Sequence, residues 1–107
     1  MNPRTLAHYE ARACIVKALA HPARLLIVDE LSKHGERCVC ELTEMIGSDM
    51  STVSRHLALL KGAGLVEDEK RGQMVFYRLQ MQCILSFFDC IESVMACNAK
   101  RHRQLMA

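Results

Sequence analysis

Residues 47 to 51 read G-S-D-M-S, and this short punctuation constrains the fold more than any other stretch of the chain. Before it, about residues 40 to 46 form a brief segment in which Leu42, Met45 and Ile46 would face inward, with Gly47 as its stop. After it, Asp49 or Ser51 can cap a second helix that runs through Lys61. Two short helices joined by a brief glycine-containing turn form the helix-turn-helix pattern.

The second of these helices, S-T-V-S-R-H-L-A-L-L-K, has two faces of different chemistry. Val53, Leu57 and Leu60 fall within about 40° of one line at helical spacing, while Ser51, Arg55 and Ala58 point roughly opposite, flanked by Thr52 and Ser54. His56 sits at the edge of the apolar face. A small polar face with one arginine suits the DNA major groove, where small residues permit close approach and arginine can donate twice to guanine. An ordinary surface helix could carry the same pattern, so the residues after the helix decide between the two. Leu65 and Val66, then Val75, Phe76, Tyr77 and Leu79, supply β-formers on both sides of a polar centre, with Arg71-Gly72 as the expected hairpin turn. A basic hairpin after a helix-turn-helix is a wing. Lys70 and Arg71 at its tip are expected to meet phosphate or the minor groove, adding salt-dependent affinity with little sequence information.

The flanks complete the pattern. A first helix is expected over about residues 5–18, and His21-Pro22 opens the next, because proline is tolerated in a first helical turn. Leu25, Leu26, Val28 or Asp29, and Leu31 give that helix an apolar face, and Gly35 ends it. From about Met81 to His102, one stripe of Cys83, Phe87, Cys90, Val94 and Cys97 runs beside another of Ile84, Phe88, Ile91 and Met95. Two apolar stripes exceed what so small a monomer needs, so about 5–18 and 81–102 are expected to form a homodimer. The predicted fold is mainly α with a small β-hairpin, a winged helix-turn-helix occupying residues 1–107 as one domain. A two-fold dimer would set two recognition helices about one turn apart on palindromic double-stranded operator DNA.

Composition limits the alternatives. The 107 residues are 50% hydrophobic and 24% charged, which suits a folded domain. The first twelve residues carry charges throughout, and no stretch approaches about 20 apolar residues, so neither a membrane partner nor a signal segment is expected and the cytoplasm is the expected compartment. There, six cysteines read as metal ligands, reactive thiols or buried small hydrophobes. A net charge of +2 does not establish a nucleic-acid partner, but Arg55, Lys61, Lys70, Arg71 and Arg78 cluster in the middle third, diluted by Glu67, Asp68 and Glu69, and Lys100, Arg101 and Arg103 form a basic tail. No carboxylate pair, nucleophile elbow or phosphate-binding glycine loop points to an enzyme, and C-x-C without a thioredoxin-like βαβ pattern does not suggest an oxidoreductase.

These residues resemble the ArsR/SmtB family of winged-helix, metal-responsive repressors, and its arsenic-responsive branch in particular. The motifs are L-A-H-P-A-R-L-L-I at 19–27, C-V-C-E-L at 38–42, S-D-M-S-T-V-S-R-H-L-A-L-L at 48–60, and G-L-V to Y-R-L at 64–79. The resemblance implies a homodimeric repressor that leaves DNA when it binds its inducer. C-V-C-E-L is similar to the E-L-C-V-C-D-L box of arsenic- and cadmium-responsive members, which implies that Cys38 and Cys40 bind As(III) or Sb(III), with Cd(II) or Pb(II) as alternatives. It implies a third ligand from Cys14, in the cross-dimer arrangement of cadmium-responsive relatives; by its place nearest the end of the last helix Cys97 is the other candidate, and a small exogenous thiol could also serve. Cys83 and Cys90 read better as packing. Two departures stand out. Some arsenic sensors have a further cysteine where this chain has Thr43, and the positions of the zinc sensors' last-helix ligands hold Gln80, Gln82, Ser93 and Ala96, so no zinc site is expected there. A thiol redox or persulfide sensor on the same fold is the alternative.

The spacing of the two cysteines is awkward, because side chains at i and i+2 diverge by about 200° on a helix. If the pair straddles a helix start, joint capture of one ion is expected to open or distort that first turn.

Overall fold

The computed structural model describes residues 1–106. Five helices and three strands occur in the order α1 (Pro3–Leu19), α2 (Pro22–His34), β1 (Glu36–Cys38), α3 (Val39–Ile46), α4 (Met50–Gly62), β2 (Val66–Arg71), β3 (Met74–Leu79) and α5 (Ile84–Met106). The expected helices are all present, with ends shifted by a few residues. Each of the first four starts at a residue whose side chain accepts a backbone N–H of the first turn: Asn2, His21, Cys38 and Asp49. Such caps satisfy donors that have no partner inside the helix. Gly47 ends α3 at φ 75°, a left-handed conformation that side chains resist, and so turns the chain into α4.

The core lies between α2, α3, α4 and the sheet. Ile27, Val28, Leu31, Leu42, Val53, Leu57, Leu60 and Val66 are essentially removed from solvent. Each buried side chain of this size contributes about 1.5–3 kcal/mol relative to exposure. The predicted line of Val53, Leu57 and Leu60 therefore anchors α4 and fixes which of its faces looks outward. On α2 the buried face is Ile27, Val28 and Leu31, whereas Leu25 and Leu26 are exposed. Met45 of α3, expected inside, is also exposed.

The sheet is antiparallel in the order β1-β3-β2. Its β2–β3 ladder runs from Val66 opposite Leu79 to Arg71 opposite Met74, so the hairpin loop is Gly72-Gln73, one residue beyond the expected turn. Gly72 takes φ 63°, the positive value that the first loop position of such a tight hairpin demands. Strand β1 was not expected. It pairs Glu36 with Arg78, Arg37 with Tyr77 and Cys38 with Phe76, and carries the chain in extended form up to the first residue of α3.

The outer helices differ from this core. Leu19 is the one buried residue of α1, and none of α5 is buried. Ile84 and Phe88 pack partly against the core, and Leu6, Tyr9, Ile15, Val16, Phe87, Ile91, Val94 and Met95 remain exposed. Cys83 lies in the turn before α5 rather than on it.

Candidate functional site: a DNA-facing helix and a paired thiol

Ser51, Ser54, Arg55 and Ala58 of α4 are exposed, on the face opposite Val53, Leu57 and Leu60. Thr52 is half-buried and serves the cap: its N–H donates to Asp49 Oδ1 at 2.8 Å and its hydroxyl to Asp49 Oδ2 at 3.1 Å. These bonds hold the Asp49 carboxyl below the usual range. His56 is partly buried, its ring 4.4 Å from that of His21. Burial, and then the neighbouring charges of His21, Arg24 and Arg55, lowers its pKa.

The wing distributes its charges less freely than the sequence suggests. Arg71 donates to both oxygens of Glu36, at 2.7 and 3.0 Å, and to Glu69 at 2.9 Å, and its guanidinium lies over the Phe76 ring at 4.6 Å. Arg78 bonds Glu67 at 2.7 Å and Glu69 at 3.1 Å, and Lys61 pairs with Asp68 at 2.9 Å. The acidic run at 67–69 therefore neutralises three of the five clustered cations rather than diluting them at a distance. Arg55 and Lys70 make no ion pair among the described residues.

The second element lies at the start of α3. Cys38 is the N-cap, in extended backbone at φ −80° and ψ 160°, and Cys40 lies in the first turn. Because only one of the pair is helical, the divergence expected of an i,i+2 pair does not apply. Their Cα atoms are 5.4 Å apart and the two are paired as a disulfide, while α3 is regular from Val39 onward. Opening of the first turn is thus not needed to bring the sulfurs together. Cys38 is buried and Cys40 is exposed.

Cys38 also takes part in a reciprocal cap. The Glu41 N–H donates to Cys38 Sγ at 3.4 Å, and Glu41 Oε1 accepts from the Cys38 N–H at 3.0 Å. That backbone bond, and then the Arg37 guanidinium at 2.7 Å, holds the Glu41 carboxyl below its usual range. Arg37 also bonds Glu30 of α2, whose Oε1 lies 3.3 Å from His34 Nε2. Sequence reasoning missed Glu30, Arg37 and Glu41. The i,i+4 spacing of Arg37 and Glu41 was the available signal.

Among the described residues there is no group of three His, Cys, Asp or Glu side chains placed to hold a metal ion. Cys14 lines a groove between α1 and α4 with Lys17, Arg24, Ala58 and Leu59. Cys83, Cys90 and Cys97 are exposed, and His34 Nε2 lies 3.3 Å from Glu30 Oε1.

Comparison with known proteins agrees with this architecture. Residues 21–68, spanning α2 to the first half of β2, match the bacterial regulatory protein arsR family. A homodimeric winged helix-turn-helix DNA-binding domain from Mycobacterium bovis superposes with a TM-score of 0.78 at 31% identity, covering 95% of this chain and 94% of that one. The chain belongs to the arsR family. Its members are DNA-binding transcription regulators rather than enzymes. Among curated relatives, the arsenical resistance operon repressor of Escherichia coli is 48% identical over 65 residues, which cover 61% of this chain and 56% of that protein. A cadmium resistance regulatory protein CadC homolog of Staphylococcus aureus is 42% identical over 67 residues, covering 63% and 55%. The chain therefore spans just over half the length of these two relatives. No described helix is long and apolar enough to cross a membrane.

Proposed function

We propose that this regulator is a cytoplasmic homodimeric repressor that binds a palindromic operator and is released when As(III) or Sb(III) bonds to Cys38 and Cys40. The placement of these two cysteines at the start of α3, the first helix of the helix-turn-helix, with Cα atoms 5.4 Å apart, carries the proposal. In the DNA complex, Ser51, Ser54 and Arg55 meet base edges, Thr52 and His56 support them, and Lys70 contacts phosphate. Arg71 joins Lys70 only by exchanging Glu36 or Glu69 for a phosphate oxygen. The exposed apolar faces of α1 and α5, at about 5–18 and 81–102, form the dimer.

Arsenous acid bonds to three thiols with loss of three waters and no change of oxidation state. Two sulfurs come from the pair and the third from the partner's Cys14 or Cys97. Cys14 is preferred, because an N-terminal cysteine joining a C-x-C pair across the dimer is the arrangement that the resemblance to cadmium-responsive members implies. A sulfur–arsenic bridge from α3 to the partner's α1 would re-space the two recognition helices, which must stand about 34 Å apart to occupy both half-sites. Cd(II) or Pb(II) would use the same sulfurs, since soft ions prefer thiolates.

The test is fluorescence anisotropy of the reduced protein on its own promoter DNA, titrated with arsenite, Cd(II) and Zn(II). Arsenite should release the wild type but neither Cys38→Ser nor Cys40→Ser. Release of those variants at the wild-type concentration would refute the assignment. The pairing of Cys38 with Cys40 as a disulfide favours one alternative, a redox sensor in which an oxidant takes two electrons and two protons from the reduced pair to form that bond. Release by oxidant or persulfide under metal-free conditions, with no response to arsenite, would select it.

A further inference from the structure

The thiol pair is held from behind by side chains that the E-L-C-V-C-D-L box does not supply. Aligned on the cysteines, that box has leucine where this chain has Arg37 and aspartate where it has Glu41. The two departures bond to each other, Arg37 Nη1 to Glu41 Oε2 at 2.7 Å. Arg37 continues to Glu30 of α2, with Nε at 3.2 Å and Nη2 at 3.1 Å from Oε1. Glu30 is the buried charged residue of the described chain. A buried carboxylate is costly unless paired, and Arg37 is the partner that also reaches α3. From Glu41 the bonds pass to the backbone N–H and to the sulfur of Cys38. A continuous path thus leads from a core helix to the buried thiol, and leucine at position 37 could make none of its polar links.

We propose that Arg37 is a positioning residue for the thiol pair. By tying Glu41 to Glu30 it fixes the first turn of α3, so that the cap residue Cys38 and the first-turn residue Cys40 are held in place before any ion arrives. This role rests on the proposed inducer site and adds to it the side chains that set its affinity. Preorganisation strengthens binding by removing the cost of ordering the ligands at the moment of capture. Partners behind metal ligands typically contribute about 10–100-fold in affinity.

Phenylarsine oxide tests the pair alone, because it bonds to two thiols with loss of one water and requires neither a third ligand nor DNA. It is titrated into reduced full-length wild type, Arg37→Leu, Arg37→Lys and Glu41→Gln, with Cys38→Ser as the blank, alongside DNA affinity without probe and thermal stability. Arg37→Leu restores the box residue and should weaken binding about tenfold. Arg37→Lys should recover part of that loss, because it keeps the charge but not the forked geometry. Since Arg37→Leu leaves Glu30 buried without its arginine, Glu41→Gln breaks the bridge at the other end and should also weaken binding while DNA affinity stays within about twofold of wild type. Wild-type probe affinity in both Arg37→Leu and Glu41→Gln would overturn the proposal, as would a loss matched by equal loss of DNA affinity in both. If the wild type binds the probe no better than Cys38→Ser, the inducer site and this proposal fall together. If the probe results hold but arsenite releases no DNA, the inducer assignment alone falls and the positioning role stands.

Discussion

The inner part of this molecule, from α2 to β3, closes on itself, whereas α1 and α5 do not. Inside, the apolar line of α4 is fully buried, and outside, a long terminal helix has no buried residue. Both regions carry apolar residues at helical spacing, so composition alone would not separate them. The difference shows that periodicity identifies a face that needs cover without saying whether the same chain provides it. The proposed DNA-facing surface belongs to the self-sufficient part and the proposed two-fold pairing to the unfinished part, so a change in one need not damage the other.

Three measurements would break or sharpen that contrast. Leu57→Ala, in the inner part, should lower unfolding stability by about 2–5 kcal/mol in denaturant titration at fixed protein concentration. A loss under about 1 kcal/mol would mean that α4 is not held by the core as described. Ile91→Glu, on the outer face, should cost the fold only about 0.5 kcal/mol, as exposed substitutions do. The same variant should sediment as a folded monomer where the wild type sediments as a dimer, and its operator affinity should fall because one half-site is lost. A dimer that persists would place the interface elsewhere. The smallest effect is expected on acidification. The pKa of His56 is lower in the fold than its ordinary 6.5, so the unfolded chain takes up the proton first. Stability should be flat above that value and decline as pH falls below it, with His56→Asn removing this first part of the decline. Further loss comes at lower pH, where Glu41 and Asp49, whose pKa values are lowered in the fold, must be protonated.

Much of the architecture was legible because the helix starts and stops are written locally. Pro22, Asp49, Gly47 and Gly35 act within a few residues of themselves, and the 53/57/60 line is a property of one helix. Strand β1 was not legible: three residues cannot display alternation, and its hydrogen bonds go to a strand much later in the chain. That omission hid the answer to the cysteine spacing, because the extended backbone of Cys38 brings its sulfur to that of Cys40. Charge was the least legible feature. The sequence shows Arg71, Arg78 and Lys61 beside Glu67, Asp68 and Glu69, but only the hairpin register decides that they neutralise one another. Likewise, Glu30 reads as an ordinary surface carboxylate until α2 is rotated to bury Ile27 and Leu31 beside it.

The unequal exposure of the two cysteines sets an order of events. A thiophile arriving from solvent meets Cys40 first in a bimolecular encounter, and reaches Cys38 only by a second substitution within the complex. A reagent with a single exchangeable position halts after the first bond, whereas one with two or more can advance to the buried sulfur, whose high effective concentration drives the step. At the proposed inducer site the pair would thereby count the valence of what it captures, discriminating a polyvalent toxic ion from the many monofunctional electrophiles that share its affinity for sulfur.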